Sequence, residues 1–126
     1  MKFSEYFISN DEGKSNCVIR TFCKLLNESY DNIYNDLSKV AKELKCNSYN
    51  EVIVFETFMK RHNINKVKCD KGIRVKDLNL ENGIYVVFCY DKKDFYHMVP
   101  IIDNTLYDKD NKSLDLYVIT LYKRNL

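Results

Sequence analysis

Between Cys17 and Leu26 (CVIRTFCKLL), Val18, Thr21, Phe22 and Leu25 fall on one stripe of a helical period. This spacing predicts a helix with one buried face, opened by Ser15 or Asn16 as N-cap. A second helix is predicted from Tyr30 to Leu44, capped by Ser29, with Ile33, Leu37, Val40, Ala41 and Leu44 on its apolar side. A third runs from an Asn50 cap to about His62. Its Val52-Ile53-Val54-Phe55 start would also suit a strand. However, Phe55, Phe58 and Met59 keep the helical step, and Lys60, Arg61 and His62 suit the negative end of a helix dipole. Residues 3–9 alternate loosely, as a short strand or an irregular lead-in, and 10–16 are a loop by composition.

After Ile64 the period drops to two. INKVK is a short alternating strand, and residues 75–80 read as a turn or short helical piece. Residues 84–90 (IYVVFCY) form an apolar run of strand composition, and 91–94 (DKKD) turn the chain back. A last alternating strand is predicted from Leu114 to Tyr122. Helices first and an antiparallel meander afterwards make an α+β fold, a single domain over residues 1–126 with the N-terminal helices packed on a C-terminal sheet.

The segment from Phe95 to Asp110 reads as a hairpin: a strand from His97 to Ile102, an Asp103-Asn104 turn, and a returning strand through Asp108. With that loop Ile101 faces Leu106, Val99 faces Asp108 and His97 faces Asp110. Side chains alternate along a strand, so His97, Asp108 and Asp110 share one face. His97 therefore has one carboxylate diagonal to it and another opposite, with Asp108 the first choice as its partner. Pro100 within this strand lacks the N–H a ladder uses, and proline prefers edges or bulges.

Composition narrows the chemistry. A net charge of +2 gives no concentrated basic face, and the mild run Lys66, Lys68, Lys71, Arg74, Lys76 reads as a solvated surface, so no nucleic-acid partner is expected. No apolar run approaches the ~18 residues of a membrane span, and the first residues carry no signal-peptide pattern. The five cysteines are an odd number without a CxxC pair, which points to reduced thiols in a cytoplasmic setting and to neither a disulfide framework nor a metal site. No cofactor is expected.

Among the cysteines Cys17 stands apart. It follows a polar loop and opens a helix, where unpaired N–H groups and the dipole favour a thiolate. Cys23, Cys46, Cys69 and Cys89 read as structural. A helix-opening cysteine, a later strand histidine and a carboxylate on the next strand form the order of a thiol hydrolase. Cys17 would attack a carbonyl, His97 would move the proton, and Asp108 would orient the ring. Arg20, one turn after Cys17, reads as one half of a surface or semi-buried ion pair.

The same residues carry a resemblance. Asn16-Cys17-Val18-Ile19-Arg20-Thr21 resembles the (D/N)-C-V-x-R-A start of small papain-like cysteine peptidases of phages and Firmicutes. Gly83-Ile84-Tyr85-Val86-Val87, His97, Asp103-Asn104 and Tyr107-Asp108 are similar to that family's later motifs. In this chain Asn104 takes the place of a turn glycine, and the Trp-Asp pair that follows Tyr-Asp in the family is replaced by Lys109-Asp110. The resemblance implies a papain-like fold, a Cys17-His97-Asp108 triad and a peptide or protein substrate. The competing expectation is an inactive papain-like module that binds another protein, such as a phage-encoded modulator of a host factor.

Overall fold

A short strand β1 (Lys2–Glu5) and three helices, α1 (Cys17–Leu26), α2 (Tyr30–Glu43) and α3 (Val52–Arg61), lead the computed structural model, which describes residues 1–8 and 16–126. Strands β2 (Ile64–Val67), β3 (Ile84–Tyr90), β4 (Tyr96–Ile102), β5 (Thr105–Asp108) and β6 (Tyr117–Arg124) follow, with single 3-10 turns at Val75–Asp77 and Lys112–Asp115. The α+β arrangement expected from the periodicity is present, with one refinement. The strands form one six-stranded sheet in the order β1-β5-β4-β3-β6-β2. Only β3-β4-β5 is a meander; β6 returns to the far side of β3, and β1 joins β5 in parallel.

The helices keep the stripes their spacing set. Val18, Thr21, Phe22 and Leu25 are buried, as are Ile33, Leu37, Val40 and Ala41. Leu44 is an exception, because α2 ends one residue earlier and leaves it at the C-cap, partly exposed. Ser29 caps α2 as expected, its hydroxyl accepting the Asn32 N–H at 3.2 Å. Asn50 does not cap α3. Glu51 holds that position, and its carboxylate instead accepts the N–H groups of Asn47 and Ser48 in the preceding turn. The β-branched start of α3 is helical because Val54, Phe55, Phe58 and Met59 bury one face, an example of packing overriding propensity. For α1, Asn16 occupies the N-cap without a side-chain bond, while Ser15 lies outside the described residues.

Both faces of the sheet are covered, which explains the unbroken apolar run of β3. Val86, Met98 and Tyr122 face the helices, where Phe22 and Phe58 pack at 4.8 Å between ring centres. Tyr85, Val87, Val99, Ile101 and Leu106 face the other way, under Val75, Leu78 and Leu114 from the irregular segments. Tyr122 is fully buried, and its hydroxyl donates to Oε2 of Glu56 at 2.6 Å, which satisfies the polar tip. The final strand begins at Tyr117, three residues later than the alternation suggested, because Lys112–Asp115 close a 3-10 turn with Leu116 N–H on the Ser113 carbonyl. Among the described residues no helix is long and apolar enough to cross a membrane.

Candidate active site

The Phe95–Asp110 hairpin forms with the expected register at its turn end, but the pairing does not extend to Val99–Asp108 or His97–Asp110, and Asp110 lies beyond β5. Ile101 pairs with Leu106, and Asp103 and Asn104 take φ of 48° and 63° in the loop. Positive φ at both loop residues is what a type I′ turn needs, and Asp and Asn tolerate it better than most side chains. Asp103 Oδ1 also accepts the Gly83 N–H at 3.0 Å, tying the turn to the start of β3.

Pro100 then acquires a function in the architecture. Cross-strand pairing of β4 with β5 stops at Ile101–Leu106, next to the residue that has no N–H to give. Beyond it, Met98 turns its backbone to α1: its carbonyl accepts from Thr21 Oγ1 at 3.2 Å, and its N–H favours the ionised form of Cys17. The interrupted ladder thus lets the start of α1 dock on β4, with proline inside a central strand rather than at an edge.

Cys17, His97 and Asp108 meet at this junction. Nε2 of His97 is 2.8 Å from Oδ2 of Asp108 across the hairpin diagonal, and the imidazole lies beside the Cys17 thiol and favours its ionised form. Nε2 is engaged by Asp108, which leaves Nδ1 as the ring nitrogen for sulfur. Asp110, the other candidate acid, is exposed and accepts the Lys112 N–H at 2.9 Å. Asp103 is engaged in the turn.

Electrostatics follow from this contact set. Burial pushes the Cys17 thiol up, but the hydrogen bond and charge of His97, the Met98 N–H and the Arg20 charge together bring it below the ordinary thiol value. Burial alone would depress His97, yet the hydrogen bonds and charges of Asp108 and Cys17 raise it to about 9. Asp108 is opposed by burial too, and the hydrogen bond and charge of His97, the Lys109 N–H and Arg20 hold it below the usual carboxylate value. The pattern favours a thiolate beside an imidazolium. By contrast, burial pushes the thiols of Cys69 and Cys89 up.

Two neighbours of the site were not legible as such. Arg20 is in an ion pair as expected, but a buried one inside the site: it is 4% exposed, and Nη2 donates to Oδ1 of Asp108 at 3.2 Å. Its position three residues after Cys17 on one helix face was the available signal. Phe95, just before β4 and two residues from His97, stacks on its ring with centroids 5.6 Å apart. In this chain, which has no Trp, Phe95 is thus an aromatic cover for the imidazole.

Cys17 and His97 open onto a cleft of about 430 Å³ walled by Val18, Val52, Phe55, Phe88, Tyr96 and Met98, with Asn50 at its polar side. Phe55 and Tyr96 both pack on Phe88, at 5.5 and 5.9 Å. A larger opening of about 590 Å³ lies around Lys68, Asp70 and Leu80 and includes none of the three site residues. The basic run is partly paired on the surface, Lys66 with Glu56 at 3.3 Å and Lys76 with Asp115 at 2.8 Å. Among the described residues no three His, Cys, Asp or Glu side chains converge as metal ligands.

Compared with family models, with curated proteins and with solved structures, the chain finds no match. Fold and site define it as an α+β protein with a thiol beside an imidazole that is hydrogen-bonded to a carboxylate, next to an apolar cleft.

Proposed function

We propose that this protein is a cysteine peptidase or related thiol hydrolase of papain-like type, acting on a peptide or amide carbonyl. The observation that carries the reading is the convergence of Cys17, His97 and Asp108 from a helix start and two strands, with Cys17 and His97 opening onto one cleft and Asp108 behind the imidazole. A helix bearing the thiol, packed on a sheet bearing base and acid, supports the papain-like assignment. The apolar wall supports a substrate with a bulky apolar side chain next to the scissile bond.

In the reaction, the Cys17 thiolate attacks the carbonyl carbon, an S–C bond forms, and the carbonyl π pair moves to oxygen. N–H groups of the first α1 turn, which the helix itself leaves unused, stabilise that oxyanion. Asn50 also lines this cleft. Collapse of the intermediate breaks the C–N bond, and the His97 imidazolium gives its proton to the leaving amine. Water then attacks the thioester, His97 takes a proton from it, and the C–S bond breaks to release the acid and restore the thiolate. Asp108 holds the ring orientation and favours its charged form throughout.

The test is labelling with a broad thiol-directed acyl-electrophile probe, followed by peptide mapping. Cys17 should carry the label, and Cys17→Ser or His97→Ala should abolish it. Equal labelling of all accessible cysteines would sink the catalytic reading and favour a protein-binding module instead.

A further inference from the structure

The Asp108 end of the site depends on a residue outside the thiol–imidazole–carboxylate set. Charged side chains are seldom fully buried unless paired, because each loses its hydration. Arg20 and Asp108 are each 4% exposed and meet at 3.2 Å, Nη2 donating to Oδ1. The Lys109 N–H donates to the same Oδ1 at 2.8 Å. Oδ2 faces Nε2 of His97 at 2.8 Å. One oxygen is therefore anchored to α1 and to its own backbone, and the other serves the imidazole. Because Arg20 stands three residues after Cys17, one turn of α1 presents both the thiol and the cation to this junction.

We propose that Arg20 is a positioning residue, whose guanidinium keeps the buried Asp108 ionised and turned with Oδ2 on His97, and thereby maintains the Cys17–His97 pair. It touches no reacting atom. The proposal rests on the catalytic reading above and adds a fourth member to it. Without the guanidinium, a buried carboxylate takes up a proton or rotates to another donor. A neutral or misaligned Asp108 stabilises the imidazolium less, so His97 loses its proton at lower pH and Cys17 keeps its own to higher pH. An arginine with a purely structural role would lower stability without moving that titration.

The experiment is the rate of iodoacetamide alkylation at Cys17, followed by peptide mass mapping from pH 5 to 10, in wild type, Arg20→Gln and Arg20→Lys. Folded Arg20→Gln should react about tenfold more slowly at pH 6, equivalent to an upward displacement of one pH unit. Arg20→Lys keeps a cation in place and should fall between the two. A folded Arg20→Gln with the wild-type profile overturns the proposal, and so does Arg20→Lys reacting as slowly as the Gln variant. Should Arg20→Gln fail to fold, Arg20→Lys combined with Asp108→Asn decides: the Lys change should cause no further slowing once Asp108 is neutral. Independent slowing in that background overturns the proposal as well. A wild type whose Cys17 shows no preference over other thiols, or no dependence on His97, would bring down the catalytic reading and this inference with it.

Discussion

Nε2 of His97 lies 2.8 Å from Oδ2 of Asp108, although β4 and β5 are paired only through Ile101–Leu106 and Ile102–Thr105. The contact is a diagonal one, made where the ladder has already ended beside Pro100. It separates the two acids that hairpin counting places near the histidine.

Replacement of those acids should therefore give unequal results. Asp108→Asn is expected to lower amide hydrolysis by about 10²–10⁴-fold, because the ring loses its orienting charge. Asp110→Asn should change it little, since Asp110 is exposed and accepts the local Lys112 N–H. Steady-state rates on one peptide substrate decide between them.

The pH dependence of hydrolysis should be bell-shaped. Activity rises as Cys17 ionises, on a limb below the ordinary thiol value, and falls as His97 loses its proton near pH 9. Asp108→Asn should move the upper limb down, because the hydrogen bond and charge that raise His97 are weakened. A profile of kcat/KM against pH reads both limbs.

Stability should follow the same groups with opposite signs. His97 has a folded pKa above its unfolded value near 6.5, so its contribution is full below that value and is lost as pH rises through about 9. Asp108 is lowered on folding, so its contribution is present above the unfolded carboxylate value of about 3.9 and is lost as pH falls through the folded one. Thermal melts of His97→Ala should be flatter than wild type between pH 7 and 10, and those of Asp108→Asn flatter in acid.

Core and cleft apolar residues should respond differently. Phe22 is fully buried against Phe58, and Phe22→Ala is expected to cost about 3–5 kcal/mol in urea unfolding. Val52 lies on the cleft wall at 45% exposure, so Val52→Lys should stay within about 0.5 kcal/mol of wild type in stability. The same change should raise KM for peptides with a bulky apolar residue next to the scissile bond, since it puts a charge in their pocket.

The sequence by itself determined the local elements. Helical stripes in α1 and α2, the Ser29 cap, the Asp103-Asn104 turn and the Ile101–Leu106 register all arise from neighbours within a few residues, where period and φ preference act directly. The helix-opening position of Cys17 was legible for the same reason. Tertiary structure decided what depends on residues far apart. Strand order places β6 beside β3 and β1 beside β5, a choice that alternation cannot express because it marks faces and not neighbours. Burial of Arg20 against Asp108 is likewise invisible along the chain, because only packing α1 on β4 removes both charges from water and brings them together. Pro100 shows both levels at once: its missing N–H is a property of the sequence, but that the gap falls where α1 docks and Met98 meets Cys17 and Thr21 is a property of the fold.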